Sequence, residues 1–477
     1  MDIGEGLLVF RKFFGSGKTE LSDISKWNEI GREVAISDCA EIEDFHQGKS
    51  KEPKLSEDTR GPAMAEAVLQ KVIALNREGR GQEAREIFDP AHTPFISELE
   101  KGGRGLICCA ILGPEDYLVQ QGTTYQDNTT WRVEGDRVKE IPNISAFSWS
   151  RNRKFFAVAH RDGSFAVGAH FDDPEAEQIP SISGSAFVPK DLPDDCVAKF
   201  AVPADGHAYS RISISDDGTK LLLCDEERGV MLLAKVETEW QCRLLFPSVE
   251  LGVEEQMREF WEDDDDFTPF FDMIHAALSP DGSCVALGTQ DDGHHLLSLI
   301  EDGQFSVFAH LGYLSNYPHN ACFSNDSKFV ALNSCHFYNG VTFVSELELV
   351  RGLTTEPYEQ HVKQCILNDY LRVYASGYLP SNMAGHENGA FLLAGSGYAA
   401  CVLPDGELLW ELGFGSSAGA VDICQSTGRV LIASYSGMLH ILDLSQKQSP
   451  AIFSGYNVPK EVSRWVFWDR LERPIIW

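Results

Sequence analysis

A short cluster of turn residues followed by a short apolar run recurs along this chain. It reads SISDDGTKLLLC at residues 213–224, ALSPDGSCVALG at 277–288 and ACFSNDSKFVAL at 321–332. Asp and Asn side chains bond to nearby backbone, and Gly adopts positive φ without a steric penalty, so each cluster specifies a tight hairpin between two strands. The recurrence therefore predicts one structural unit that is copied several times.

Each unit also contains a second hairpin, in which an acidic residue and a glycine separate two strands. Examples are WRVEGDRVKEI at 131–141, SLIEDGQFSVF at 298–308 and CVLPDGELLWEL at 401–412. Two hairpins in series form a four-stranded antiparallel sheet, and such a sheet buries both faces only when copies pack side by side in a ring. The template fits seven units, which begin near Gly105, Ile144, Ala208, Phe271, Pro318, Leu371 and Ala418. We therefore expect a mainly β protein, a seven-bladed β-propeller of four-stranded antiparallel blades.

The stretch SPDGSCVALGTQDDG at 279–293 and its relatives resemble the blades of WD-repeat propellers, in which S-P-D-G joins the two innermost strands. The resemblance is degenerate, because the Trp-Asp ending is missing and only ILDL at 441–444 is close to it. The piece DGELLWEL at 405–412 is more similar to a blade of the quinoprotein-type propellers. The likeness covers residues 105–455 and implies a ring of blades.

The segment before the repeats predicts a small helical extension. PAMAEAVLQKVIALNREGRGQEAREIF at 62–88 has apolar residues at helical spacing on both sides of a glycine-rich turn,. We expect an N-terminal segment with a strand and a polar connector over 1–61, a helical hairpin over 62–104, the propeller over 105–460 and a tail over 461–477. Either GLLVFRKFF at 6–14 or SRWVFW at 463–468 is expected to complete the last blade.

Composition excludes several classes of function. The formal net charge of −32 argues against nucleic acid, since binding to phosphates requires Lys and Arg,. No run of about 20 apolar residues predicts a membrane span, and the N-terminus lacks the long apolar stretch of a secretory signal,. The twelve cysteines form no C-x-x-C pair and most lie in apolar runs, as expected for reduced core thiols,. These features predict a cytoplasmic protein without a cofactor or metal.

The segment VELGVEEQMREFWEDDDDFTPFF at 249–271 is the candidate binding site. Its carboxylates repel one another unless water or a cation meets them, and its aromatic residues offer apolar anchors,. That mixture suits recognition of a basic protein surface, although a solubilising loop and a calcium site are alternative interpretations. The predicted partner-binding residues are Glu259, Trp261, Glu262, Asp263, Asp264, Asp265, Asp266 and Phe267.

Catalytic motifs are weak throughout the chain. GSGKT at 15–19 lacks the first glycine of a phosphate-binding loop, and GSSAG at 415–419 lies between two strands instead of at a strand-to-helix turn,. Histidines such as His207, His275 and His319 are scattered, although a ring of blades can bring distant residues together,.

We therefore expect a non-catalytic protein-binding scaffold. The high acidic charge suggests, more narrowly, an inhibitor or immunity-type protein that sequesters a basic partner such as a toxin,. The alternative is an enzyme with a site in the central channel, such as a hydrolase or lyase. That alternative requires polar residues from several blades to meet in one pocket with perturbed acids.

Overall fold

The computed structural model describes residues 24–95, 104–122, 128–181, 207–248, 251, 270–290, 293–300, 304–312, 317–336, 339–355, 366–447 and 458–477. Within these ranges, no helix is both long enough and apolar enough to cross a membrane.

Three α-helices precede the strands in the described part of the chain: α1 is Trp27–His46, α2 is Pro62–Arg77 and α3 is Gly81–Ile87. Proline suits the start of α2, where its missing N–H is not needed, and Gly79 ends the helix with a φ of +74°,. Helices α2 and α3 are the two that the apolar spacing predicts, whereas α1 lies in a region for which we expected only a strand and a connector. Two short helices, α4 (Leu347–Val350) and α5 (Ser381–Ala384), lie between strands.

The strands form six sheets in the part of the chain that is described. The first sheet contains β1 (Gly105–Gly113), β2 (Asp116–Gly122), β3 (Thr129–Glu134) and β4 (Arg137–Ile141). The second sheet contains β5 (Ile144–Trp149), β6 (Phe156–His160), β7 (Phe165–Gly168) and β8 (Glu177–Ile179). The third sheet contains β9 (Arg211–Ile214), β10 (Lys220–Asp225), β11 (Gly229–Val236) and β12 (Glu239–Phe246).

The later sheets are less regular. The fourth contains β13 (His275–Leu278), β14 (Cys284–Gly288), β15 (His294–Leu299) and β16 (Phe305–Leu311), with β20 (Thr354–Thr355) added in parallel to its edge. The fifth contains β17 (Pro318–Phe323), β18 (Phe329–His336), β19 (Asn339–Glu346) and β21 (Ile366–Asn368). The sixth contains β22 (Val373–Leu379), β23 (Ala390–Val402), β24 (Leu408–Cys424), β25 (Arg429–Ser434), β26 (Met438–Lys447), β27 (Pro459–Val466) and β28 (Ile475–Ile476).

The sheets close into a ring. The first strand of each sheet contacts the first strand of the next, and β24 and β25 of the sixth sheet contact β1 of the first. One apolar cluster joins the two ends, since Leu106 and Val119 are buried in it together with Leu431 and Trp465. Because each sheet is covered by its neighbours, the core is a series of clusters between sheets, as a propeller requires,.

The prediction of a mainly β propeller with an N-terminal helical extension is confirmed. The described residues do not form seven separate four-stranded sheets: five of their sheets, of four or five strands, are separate, and the remaining strands form one seven-stranded sheet. The reason is β24, which pairs with β23 through Leu408–Gly413 and with β25 through Ala418–Cys424 without a break between the two parts. Ser417 of the GSSAG motif therefore lies inside a strand and not in a loop.

Each repeated turn cluster forms the same set of hydrogen bonds between the first and second strands of its sheet. In the third sheet, the Ser215 hydroxyl donates to Asp217 Oδ1 (2.6 Å), which also accepts from the Thr219 amide (2.9 Å), and Ser215 Oγ accepts from the Lys220 amide (3.0 Å). Gly218 between them has a φ of +72°, which glycine adopts readily, and Arg153 and Ser327 adopt a positive φ at the equivalent position of their turns,. The recurring sequence motif therefore forms the same turn in each of these sheets.

The same bonds recur in three other turns, and the serine that organises each turn is buried. The pairs are Ser150 with Asn152 (2.9 Å), Ser279 with Asp281 (2.7 Å) and Ser324 with Asp326 (2.5 Å). Ser150, Ser215, Ser279 and Ser324 each have 0% exposure, so the hydroxyl must find its partners within the protein,. We call the side of the ring that carries these four turns the turn face.

Neighbouring turns are also bonded to one another. The Asp216 amide donates to the Pro280 carbonyl (2.7 Å), Asn152 Nδ2 donates to the Asp216 carbonyl (2.8 Å), and the Asp281 amide donates to Ser327 Oγ (3.1 Å). These bonds link the second, third, fourth and fifth sheets in order. The repeated turns therefore join sheets as well as strands.

The helical extension packs on the sixth sheet. Trp27 of α1 stacks on Trp477 at 6.4 Å between ring centroids, and the Trp477 indole N–H donates to the Phe88 carbonyl (2.8 Å). Beneath them, Glu461 accepts hydrogen bonds from His440 Nδ1 (2.8 Å), Arg464 Nε (2.9 Å) and Arg85 Nη2 (2.8 Å). Residues 463–466 belong to β27, in agreement with the C-terminal alternative for the last blade, and residues 6–14 lie outside the described residues.

The cysteines that the structure describes are free, and most of them are buried. Burial raises the pKa of Cys108, Cys224 and Cys401 to about 12. These three thiols remain protonated at neutral pH and pack as small core residues.

Candidate functional site

The eight residues predicted to bind a partner lie outside the described residues. They are Glu259, Trp261, Glu262, Asp263, Asp264, Asp265, Asp266 and Phe267. The structure does describe the residues that flank their segment, 252–269, on both sides. Leu251 packs against the core between the third and fourth sheets, and its amide donates to the Ser248 carbonyl (3.1 Å).

The returning end of the same segment is fixed at Phe271. Its ring packs against Phe246 with 5.2 Å between centroids, and its amide donates to the Glu226 carbonyl (2.8 Å). Phe270, one residue earlier, is 53% exposed. The described residues on both sides of 252–269, which we call the acidic segment, are therefore fixed to the ring, and Phe271 lies beside the turn between β10 and β11.

That position lies on the side of the ring opposite the turn face. Strands alternate in direction within each sheet, so every connection from the last strand of one sheet to the first strand of the next leaves from the same side. The first strands β9, β13 and β17 begin on this side with Arg211, His275 and Pro318. We call it the connection face.

Residues from several sheets meet on the connection face where the first strands begin. We call them the inner-rim cluster: Arg211, Met273, His275, His294, His319, Arg372, Tyr374 and Tyr435. The sequence marked the histidines only as scattered and gave no sign of Arg211, Arg372 or the tyrosines. Many of these residues lie near the start of the first strand of a sheet, and this position in the repeat could have been used to predict them.

Two of the histidines form a buried chain. His294 Nε2 lies 3.0 Å from the Asn333 carbonyl, which only accepts, so His294 carries its proton on Nε2,. Its Nδ1 then accepts from His275 Nε2 at 3.3 Å. Burial lowers the pKa of His294 to about 3, and burial together with His294 holds the pKa of His275 well below the ordinary range. Both rings are therefore neutral at physiological pH.

The third histidine bonds to an arginine. His319 Nδ1 donates to the Val373 carbonyl (2.7 Å), so its Nε2 is free to accept from Arg372 Nε (3.0 Å). Burial and then the nearby Arg372 charge lower the pKa of His319 to about 4. The Arg372 guanidinium lies 5.2 Å from the centre of the Tyr374 ring, a cation–π contact,.

The rim is cationic and aromatic. Tyr374 contacts Tyr435 at 6.1 Å between centroids, and Tyr435 is 44% exposed. Arg211 donates to the Ile274 carbonyl (2.6 Å) and pairs with Glu226 at 3.3 Å. Arginine and tyrosine dominate the binding energy of many protein interfaces, so this composition is typical of a docking surface.

The enzyme alternative required polar residues from several blades to meet in one pocket with perturbed acids. Polar residues from several sheets do meet at the inner rim. Among the described residues here, Glu226 has a carboxyl group of altered pKa: burial raises it, and the adjacent Arg211 opposes the rise. The ring nitrogens of His294 and His319 are committed to bonds within the protein, which does not favour their use as catalytic bases,.

One group of side chains in the described residues has donor atoms close enough to hold a metal ion. The atoms of His207, Asp225 and Glu227 lie within 4.8 Å of one another. His207 precedes β9, Asp225 ends β10, and Glu227 follows in the turn to which the Phe271 amide is bonded. The group therefore lies on the connection face, beside the anchored end of the acidic segment.

The comparisons with known proteins add only a likeness of fold. No protein-family model and no curated protein matches the sequence. Among solved structures, the chain is similar to the β-propeller domain of Cps50 (Swd1) from Myceliophteria thermophila. The two are 11% identical, with a TM-score of 0.44 over 72% of this chain and 98% of that domain. The class that the structure itself defines is a β-propeller with an N-terminal helical extension.

Proposed function

We propose that this protein is a non-catalytic binding scaffold whose connection face docks a protein partner. The observation that carries the proposal is the bond from the Phe271 amide to the Glu226 carbonyl, which fixes the chain just after the acidic segment beside the inner-rim cluster. A rigid ring that holds variable connections at one face is a common arrangement for binding. The partial exposure of Arg211 and Tyr435 agrees with it.

The partner that fits the acidic segment is a basic protein. The charge of −32 and the run Asp263, Asp264, Asp265 and Asp266 favour rapid association with a cationic surface, and Trp261 and Phe267 supply apolar anchors,. The narrower form of the proposal is an inhibitor or immunity-type protein that sequesters a basic toxin in the cytoplasm.

We also propose that the ring has seven blades, with the seven-stranded sheet counted as two. Its support is the change of partner along β24, whose first part pairs with β23 and whose second part pairs with β25. On this count β27 is the outer strand of the last blade, so the propeller that we predicted over 105–460 continues to Val466, and the helical hairpin over 62–104 precedes it.

The test compares charge removal on the two faces of the ring. One variant carries Asp263→Asn, Asp264→Asn, Asp265→Asn and Asp266→Asn. The control variant carries Glu237→Gln, Glu239→Gln, Asp405→Asn and Glu407→Gln, four exposed carboxylates in hairpins that lie on the side of the turn face. Each immobilised full-length protein captures proteins from a lysate of its own cells at about 0.05 M and about 0.5 M salt.

The captured protein is then purified, and its binding rates are measured by surface plasmon resonance. We expect a basic partner whose association slows about 10-fold at low salt with the Asp263–Asp266 variant, with little change in dissociation and no effect of the control. Equal association rates for the two variants, or binding that is independent of salt, would refute the acidic docking surface.

A further inference from the structure

We infer that His207, Asp225 and Glu227 form a divalent metal site, and that the ion it prefers is Zn²⁺. The three donors come from two places in the third sheet: His207 from the approach to β9, and the two acids from the end of β10 and its turn. Their donor atoms already lie within 4.8 Å of one another, so a small rotation of the exposed Glu227 side chain is enough to gather them around one ion.

The state of the imidazole is the independent observation that favours a ligand. His207 Nε2 pairs with Asp225 Oδ1 at 3.1 Å, and the two side chains are 14% and 8% exposed. Two ligands of one tetrahedral Zn²⁺ ion lie about 3.3 Å apart, so this pair already has the spacing that a shared ion needs. A cation between the nitrogen and the carboxylate oxygen would satisfy both atoms.

The surroundings hold the ligands in place. Asp225 Oδ1 accepts from the Glu227 amide (2.9 Å), which fixes the carboxylate within the turn. The His207 ring packs edge-on against Tyr209, with 5.0 Å between centroids, and the Asp225 side chain is only 8% exposed. Bonds and contacts of this kind around the ligands raise metal affinity by limiting their motion.

The donor set indicates the ion. One imidazole nitrogen with two carboxylate oxygens suits Zn²⁺, whereas Ca²⁺ and Mg²⁺ prefer oxygen ligands alone. Three protein ligands leave a fourth position for water or for a group from a partner. Because the Glu226 carbonyl between the two acids binds the Phe271 amide, an ion here would stiffen the anchor of the acidic segment.

The experiment titrates ZnCl₂ into the full-length, metal-stripped protein by isothermal calorimetry, without any partner. We expect binding of about one ion per chain, weakened about 100-fold by His207→Ala and about 10-fold or more by Glu227→Gln. His386→Ala, which removes an exposed histidine on the side of the turn face, should leave the affinity unchanged. Added CaCl₂ should not compete.

Failure of full-length protein to bind Zn²⁺ below about 100 μM would overturn the inference, as would binding that both His207→Ala and Glu227→Gln leave intact. Glu227 is exposed, so its variant remains informative even if His207→Ala fails to fold. The result is independent of the proposed function, because zinc binding is measured on the isolated chain.

Discussion

The two faces of the ring differ in how closely their residues repeat from sheet to sheet. On the turn face, each of four sheets has a buried serine that donates to a side chain two residues later, an asparagine in the second sheet and an aspartate in the other three, and adjacent turns bond to one another. On the connection face, equivalent positions hold different residues, such as Arg211, His275 and Pro318. Bonds between neighbouring sheets occur on both faces, but the turn face repeats one set of bonds, whereas the connection face uses different side chains from sheet to sheet. The varied face is the one for which we propose binding.

The largest expected effect comes from removing a side chain on the turn face that joins the second sheet to the first and sixth sheets. Arg153, in the turn of the second sheet, donates to Asp422 Oδ1 (2.5 Å) and to the carbonyls of Ile423 (2.5 Å) and Ile111 (3.3 Å). Arg153→Met leaves the Asp422 carboxylate, 17% exposed, without its cation. We expect a loss of about 3 kcal/mol in the free energy of unfolding, measured by urea denaturation.

The matched control is Arg351→Met, which breaks an ion pair with Glu348 whose side chains are 49% and 77% exposed. Its expected cost is below about 0.5 kcal/mol. Equal costs for the two variants would show that Arg153 does not join the sheets.

A smaller loss of stability is expected when the pH is lowered, because a histidine on the connection face must then be protonated. The pKa of His319 is about 4 in the folded chain and about 6.5 when unfolded, so the unfolded chain binds more protons between these values. The stability that the neutral His319 imidazole contributes is complete above about pH 6.5 and is lost as the pH falls towards 4. Between pH 7 and pH 5, the wild type should lose about 2 kcal/mol more than His319→Gln.

Urea denaturation at the two pH values provides the measurement. His170→Gln removes an exposed histidine and should reproduce the wild-type loss. If His319→Gln loses as much free energy of unfolding as the wild type, the His319 imidazole is not held neutral in the folded protein.

The smallest effect concerns a single repeated serine. Ser279→Ala removes the acceptor of the Cys284 amide (2.8 Å) and the donor to Asp281 in a site with 0% exposure. We expect a cost of about 1.5 kcal/mol by thermal or urea unfolding. The control is Ser306→Ala, at an exposed position of β16, which should change the stability little,. An equally small cost for Ser279→Ala would show that the buried serine does not stabilise the turn.

The sequence was informative where the structure repeats. In a motif such as S-x-D-G, the serine and aspartate side chains bond within the turn that they occupy. The turns, and from their repetition the ring, could therefore be predicted from the sequence. The separation of the last sheets could not, since it depends on whether β24 bends or continues between Gly413 and Ala418. Local preferences do not decide that point.

The inner rim was beyond sequence reasoning for a related reason. His294 and His319 acquire their low pKa from burial, and Arg372 reaches His319 across 53 positions of the chain. Such partners are set by how sheets pack around the axis. The acidic segment was visible in composition, and its docking role remains a prediction.

The most direct test of the central claim, that repeated turns bond neighbouring sheets on one face, is hydrogen exchange at single-residue resolution. The key amide is that of Asp216, which crosses from the third sheet to the Pro280 carbonyl of the fourth at 2.7 Å. We predict that it exchanges as slowly as the strand amides of β10, opening only when the protein unfolds. Exchange at the rate of an unstructured peptide would contradict the account.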